Sequence, residues 1–302
     1  MPSILYSILT SSKEASLSNQ IQPAYIIDHE GLILEIAIID SSKLFLHEET
    51  IPEQLEKLKS SLKESRILQA PIIVDRNSMV VLDGMHRVTA LREIGCKLIM
   101  VCLVDYLDSR ITLGRWCRTI SKPFNYQIAN EIFSEHSLGI APAYGINPMH
   151  SPDAFLAFGS GSYKIDGGER DIVSLFRELY SLEIQLQSKG YQIGHKNEDD
   201  AVRFLALGDV SALLCPPLVT KQQVVEIAAS NRVFSPKSTR HKLPARPVGI
   251  SIPISMLSDV KLTPVEVNRK LALMLANKSV RKLPPDSSYF GRKYDETLYV
   301  FD

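Results

Sequence analysis

Five consecutive residues, Asp83-Gly84-Met85-His86-Arg87, place a carboxylate, an imidazole and a guanidinium where the chain changes its period. Before them, apolar runs at 72–74 and 79–82 flank the turn residues Arg76-Asn77-Ser78, a pattern that predicts neighbouring strands. After them, Met85, Val88, Leu91 and Ile94 recur every third position, so one face of a short helix meets a core, and Gly95 follows as a left-handed cap. A strand that turns through Asp-Gly into a helix leaves the first helical amides unpaired at the sheet edge, where they suit an anion such as phosphate. His86 and Arg87 fall in that first turn. Cations do not stabilise a helix N-terminus, so the pair suggests that an external anion completes the charge balance. A solvated first turn with a buried capping aspartate fits the spacing equally well.

Three other places carry reactive side chains. The segment 234–247 holds Ser235, Thr239, Arg240, His241 and Lys242 between Pro236, Pro244 and Pro247. A loop stiffened by prolines and rich in hydroxyl, imidazole and guanidinium donors suits a small anionic substrate, although it also reads as a solvated basic loop. Glu48 and Glu49 precede a helix whose start is predicted from the capping-box spacing of Thr50 and Glu53 with Pro52 just inside, and whose buried stripe is Leu55, Leu58 and Leu62. Such glutamates commonly do no more than complement the helix dipole. Trp116, in Gly114-Arg115-Trp116-Cys117-Arg118, is the only tryptophan. A lone tryptophan usually belongs to a core or a domain seam.

The elements that must position these residues alternate along the chain. Residues 1–23 read as a Ser-rich extension. A β-hairpin is predicted from 25–27 and 32–39 around Asp28-His29-Glu30-Gly31. Leu98–Val104 reads as a strand, and 136–152, rich in Gly, Pro and Asn, as a connection between domains. Strands are then expected at 154–158, 163–165, 191–194, 211–214, 248–254 and 298–301, and helices at 169–189, 198–207, 221–230 and 264–276. The order implies an α/β (α+β) protein with an extension over 1–35, a first domain over 36–120 and a second, mixed α/β domain over 121–302.

Composition narrows the classes. The 302 residues leave room for two domains, and 34 Lys and Arg balance 34 Asp and Glu, so no global field would collect nucleic acid or an anionic membrane. The four cysteines include no C-x-x-C pair, no H-E-x-x-H occurs, and the glycines of 159–161 are not followed by G-K-[ST], which argues against structural zinc and a Walker loop. No apolar run approaches a membrane span, and no cleavable leader opens the chain, so a cytoplasmic protein with reduced cysteines is expected.

Asp83-Gly84-Met85-His86-Arg87, followed by Ala90-Leu91 and Gly95-Cys96, resembles the D-G-x-H-R-x-x-A-L-x-x-x-G signature of the ParB/sulfiredoxin-like superfamily, and within it most closely the free L-serine kinases. The likeness extends over about 40–302. It includes a His-Glu context before the same helix, the tryptophan, the P-K-[ST]-T-R-H segment at 236–241 and the tail from Tyr289. The resemblance implies a ParB/sulfiredoxin-like N-terminal domain, with the active site in a cleft shared with the second domain. It implies that L-serine and an adenine nucleotide, ADP or ATP, are the substrates and that Mg²⁺ is the cofactor, with no nucleic-acid or membrane partner. Glu48, with Glu49 as fallback, would be the general base. Asp83, Gly84, Met85, His86 and Arg87 would hold the phosphates, with Asp83 also catalytic and touching Mg²⁺ directly or through water. Trp116, Thr239, Arg240 and His241 would line the amino acid.

Single residues separate the alternatives. A sulfiredoxin needs a cysteine immediately before its His-Arg pair, and Met85 cannot become a thiolate. A ParB-type DNA partition protein carries G-E-R-R where this chain has Gly84-Met85-His86-Arg87, and would add a basic DNA-reading module. That class is the runner-up, and a non-catalytic regulator sensing serine or nucleotide is the third.

Overall fold

The computed structural model describes residues 21–302 apart from Lys122 and His150; most of the extension expected over 1–23 lies outside these residues. Contacts divide the chain into two units. Of the described residues, one comprises those up to Leu46, Thr50–Thr112 and Lys242–Asp302; the other comprises His47–Glu49 and Leu113–His241. Among the described residues no helix is long and apolar enough to cross a membrane.

The first unit is built on a five-stranded mixed sheet ordered β1-β2-β6-β4-β5, where β1 is Tyr25–His29, β2 Leu32–Asp40, β3 Ile67–Leu68, β4 Ile72–Asp75, β5 Val81–Asp83 and β6 Leu98–Val104. The predicted hairpin forms β1 and β2, with Gly31 donating its N–H to Asp28 across the turn. Strand β6 is buried along its whole length, which is why it reads as a continuous apolar run, and it pairs parallel to β4 and antiparallel to β2. Helix α1, Pro52–Ser65, and helix α2, Met85–Glu93, pack together.

The C-terminal sixty residues belong with this sheet and not with the second domain in which the sequence placed them. Asn268, on the helix Pro264–Ala276, accepts from the Ile38 N–H on β2 at 2.7 Å, Ile252–Pro253 pairs with β3, and Arg246 bonds Asp83. The strand expected over 248–254 is also broken. Ala245–Val248 runs parallel to Thr297–Phe301, Gly249 turns the chain at φ +76°, and a short helix, Ile254–Ser258, follows.

The second unit carries a six-stranded antiparallel sheet in the order Ile193–Lys196, Cys117–Ile120, Ala212–Cys215, Phe155–Phe158, Gly161–Asp166, Gly139–Pro142. The stretch 136–152, expected as a connection, therefore supplies an edge strand. Alternation along the strands divides the core. Ile120, Leu156 and Leu214 face the helices Tyr126–Glu135 and Ile172–Ser188, while Cys117, Phe155 and Cys215 lie on the other face with Ala201 of Glu198–Leu207.

Gly249 is the backbone position with least tolerance for a side chain in the first unit. A Cβ there would lie 2.7 Å from the Phe301 carbonyl oxygen and 2.8 Å from the Tyr289 hydroxyl, on top of its left-handed φ. Gly249→Ala is expected to cost about 1–3 kcal/mol, read as a lower midpoint in denaturant unfolding with an unchanged slope.

Candidate active site

In the second unit, Glu48 is held by the segment that follows Pro236. Lys237 sits in the left-handed region at φ +59°, an unusual conformation for a side-chain-bearing residue. The turn this creates aims three consecutive amides at one carboxylate. The N–H of Lys237 donates to Oε1 at 2.7 Å, and those of Ser238 and Thr239 to Oε2 at 3.1 and 3.0 Å. Successive amides presented this way form an anion-binding concavity, and its occupant here is the Glu48 side chain. The Thr239 hydroxyl adds a fourth donor to Oε2 at 3.1 Å. That hydroxyl has one proton, so its 2.9 Å contact with Nε2 of buried His47 makes the imidazole N–H the donor. Ser238 Oγ closes the turn on the Ser235 carbonyl at 2.6 Å, and Ser235 Oγ donates to the Phe176 carbonyl at 2.9 Å.

Burial pushes the Glu48 carboxyl upward, and the amides of Thr239 and Lys237 pull it back without cancelling the shift. Glu49 is differently placed, paired with Arg177 at 2.9 Å on the surface. Half-buried Trp116 lies under two cations, with Lys237 Nζ 5.2 Å and the Arg240 guanidinium 5.6 Å from its ring centroid. The His241 ring meets His47 edge-to-face at 5.2 Å. Glu48, Trp116, Thr239, Arg240 and His241 are thus neighbours in one unit.

The Asp-Gly-Met-His-Arg turn lies in the first unit. Gly84 takes φ +108°, and a Cβ there would meet the Arg87 guanidinium at 2.9 Å and Ile72 at 3.1 Å. Glycine is required for the strand to turn into α2 over this guanidinium. The first intrahelical bond runs from the Val88 N–H to the Gly84 carbonyl, which leaves the first-turn amides of 85–87 outside the ladder.

Both basic residues of the motif are engaged by the protein. Arg87 donates to the carbonyls of Ala70 and Pro71 at 3.2 and 3.1 Å and reaches Asp83 at 3.4 Å. His86 accepts the Ile51 N–H on Nε2 at 2.9 Å, so its ring is neutral with the proton on Nδ1. Ile51 is the N-cap of α1, and its side chain makes no cap. The expected capping box of Thr50 and Glu53 does not form, because Pro52 starts the helix one residue later than that spacing requires, and the amide of Ile51 goes to His86 instead.

Asp83 does not cap α2 either. Its Oδ2 takes Arg246 at 2.7 Å, and Arg246 in turn pairs with Glu296. Burial alone would raise the Asp83 carboxyl; Arg246 and then Arg87 outweigh it and hold the group ionised well below the usual carboxylate range. Arg246 and Arg292 stack on Tyr294 at 5.7 and 4.7 Å. Arg292 is exposed, acts on both Asp83 and Arg87, and makes no ion pair among the described residues.

No family model matches the chain. The ATP-dependent L-serine kinase of Staphylothermus marinus is 32% identical to it over 237 residues, spanning 74% of this chain and 92% of that protein. The chain belongs to the free L-serine kinase family. The ADP-dependent L-serine kinase SerK of Thermococcus kodakarensis is 24% identical over 240 residues, 74% of this chain and 93% of that protein. A solved free serine kinase in complex with AMP superposes with a TM-score of 0.63 at 21% identity, covering 74% of this chain and 93% of that one. That likeness bears on the fold, and the mixed α/β class read from the sequence stands.

Membership makes the chain one of a family of phosphotransferases acting on an alcohol. Four residues of the cluster around Asp83 were given no role from sequence: Arg246, Arg292, Tyr294 and Glu296. Arg246 lay inside the flagged proline-rich loop, and the other three in the tail that resembles the family's end, so the signal was regional. Nothing in the sequence joined them to Asp83, which lies 163 residues from Arg246.

A group whose folded pKa is depressed contributes stability that is fully present above its unfolded pKa and is lost as the pH falls. Asp83 is such a group. Asp83→Asn is therefore expected to flatten the loss of stability below about pH 4, measured by denaturant unfolding between pH 7 and pH 3.

Proposed function

We propose that the protein phosphorylates free L-serine to O-phospho-L-serine, with ADP or ATP as phosphoryl donor and Glu48 as general base. The observation that carries this reading is the Glu48 carboxylate seated on three consecutive amides of a segment whose Lys237 and Arg240 side chains lie over Trp116. Oε2 accepts three of the four hydrogen bonds and Oε1 only one. Each carboxylate oxygen has about two acceptor directions, so Oε1 is the atom with capacity for a substrate hydroxyl. Burial that raises the carboxyl brings its basicity nearer to working pH, as general-base catalysis requires.

In the proposed step the serine oxygen gives its proton to Oε1 and forms a bond to the terminal phosphorus. The bond from that phosphorus to the bridging oxygen breaks, and the nucleotide leaves one phosphate shorter. Thr239 and His47 keep Oε2 occupied and so fix which oxygen faces the alcohol. Trp116, Arg240 and His241 frame the amino acid, with Arg240 suited to its carboxylate.

The first-turn amides of α2 and the exposed Arg292 are the groups suited to the nucleotide's phosphates. Arg87 and His86 serve this role indirectly, the first by shaping the Gly84 turn and the second by tying the start of α1 to the start of α2. Both guanidiniums that reach Asp83 address Oδ2, which leaves Oδ1 for a magnesium ion or its water; one carboxylate with phosphate oxygens and water is the donor set that ion favours. Bound there, the ion would neutralise charge on the transferring phosphoryl group.

Purified protein incubated with Mg²⁺, L-serine and ADP or ATP is expected to yield O-phosphoserine, detected by mass spectrometry; absence of product with both nucleotides rejects the reading. Glu48→Gln is expected to lower kcat by about two to four powers of ten with nucleotide affinity retained, whereas Glu49→Gln leaves kcat largely unchanged. The wild-type rate should fall on the acid side through a limb set by Glu48, at a pH above the ordinary carboxylate range, because the base works only when deprotonated.

A further inference from the structure

Behind the segment that holds Glu48 lies a charged group to which the reaction above assigns no part. Arg118 is 2% exposed, on the strand Cys117–Ile120. Directly across the antiparallel pair from it is His195, and from the helix Ile172–Ser188 comes Glu183, also 2% exposed. Arg118 Nε donates to Glu183 Oε2 at 3.0 Å, and His195 Nε2 meets Glu183 Oε1 at 3.0 Å. The remaining guanidinium nitrogens go to main-chain carbonyls. Nη1 donates to Lys237 O and Trp116 O, both at 2.9 Å, and Nη2 to Pro236 O at 3.2 Å.

The two carbonyls of 236 and 237 belong to the same peptide groups as the amides of Lys237 and Ser238, and those amides donate to Glu48. Two consecutive peptide units therefore stand between a guanidinium and a carboxylate, with each C=O on the cation and each N–H on the anion. Hydrogen bonds in series polarise one another, so a charged donor on the carbonyl strengthens the amide's bond to the carboxylate.

We infer that Arg118 is a positioning residue for Glu48, acting through the peptide groups 236–237 and 237–238 to fix the orientation of the carboxylate and to set its basicity. This deepens the proposed function and rests on Glu48 being its base. A cation placed to stabilise only the fold has no need to span these two carbonyls, and two of the four hydrogen bonds to Glu48 come from the very peptide groups that Arg118 holds, the other two coming from the next residue, Thr239. Arg118 also fixes the backbone of Trp116, so one buried guanidinium sets the geometry of both the base and the neighbouring aromatic wall. Glu183 keeps that guanidinium neutralised.

Other charged groups around Glu48 bear on its titration and are separable from this one. Lys237 acts on it through its own ammonium, Glu49 is paired with Arg177, His47 bonds Thr239, and Arg240 stacks on Trp116. Around Arg118 itself the titratable neighbours are Glu183, His195 and Tyr180. None of these bridges the two carbonyls.

The test is a double variant of the full chain, Arg118→Met with Glu183→Leu, which removes both charges together and so avoids leaving one of them buried alone. With glutamate carrying ¹³C at the carboxyl, the Glu48 titration is followed by NMR alongside the pH profile of kcat. The Glu48 midpoint and the acid limb of kcat are expected to move up together by about one unit, which is about tenfold less kcat on the acid side, with KM for the nucleotide little changed. In Arg118→Lys, which keeps a charge beside Glu183 and cannot fork across two carbonyls, the same upward move is expected at smaller size; this single variant decides the matter if the double variant does not fold. A Glu48 midpoint that stays at its wild-type value in a folded variant overturns the inference. Wild-type turnover in Glu48→Gln would instead reject Glu48 as base, and the carboxyl titration would still report whether Arg118 governs it.

Discussion

A carboxylate bonded by main-chain amides, with the Lys237 ammonium acting on it only at a distance and no ion pair made among the described residues, is the arrangement on which the proposed chemistry depends. An arginine or lysine paired directly with Glu48 would hold it ionised and weakly basic. Three N–H groups fix its two oxygens in space while supplying only partial charge, so burial still wins and the group stays basic. The cost falls on the backbone. Lys237 occupies a left-handed conformation that a side chain disfavours, and the serines at 235 and 238, with the buried Arg118, hold it there through their bonds to Phe176, Ser235 and the local carbonyls.

That economy explains why the loop could be flagged from sequence and its function could not be derived there. Pro236, Ser238, Thr239 and His241 are recognisable as loop and donor chemistry, yet the decisive donors are main-chain amides, which every residue but proline carries. Glu48 and Glu49 are indistinguishable as neighbours in a chain. Their difference comes from partners 128 and about 190 residues away, Arg177 for one and the 237–239 amides for the other. The resemblance to a known family chose Glu48, and the proposal made above rests on the surroundings that set it apart from Glu49.

Local pattern was most legible where one period held over a whole element. The hairpin of β1 and β2, the helix Glu198–Leu207 and the helix Pro264–Ala276 stand where the residues put them. It failed where two local rules competed. Pro52 overrode the Thr50 capping spacing, and Gly249 split a run whose apolar residues read as one strand. Domain assignment failed for a different reason. The chain leaves the first unit after Thr112 and returns to it at Lys242, and no composition shift marks a return that includes pairing with a strand about 185 residues earlier.

The two carboxylates at the centre of the reading are pushed in opposite directions, and this separates their roles. Asp83 carries two guanidiniums on one oxygen and stays ionised at any working pH, so it can organise charge but has little basicity to offer a proton. Glu48 has dipoles and burial, and its affinity for a proton rises. Within one protein, environments that drive like groups apart assign one to electrostatics and the other to proton transfer. A serine hydroxyl is a far weaker acid than either carboxyl, so the group that must accept its proton during attack is the one whose surroundings resist charge. That criterion is why the proposal gives the proton to the residue seated on amides and not to the one seated on arginines.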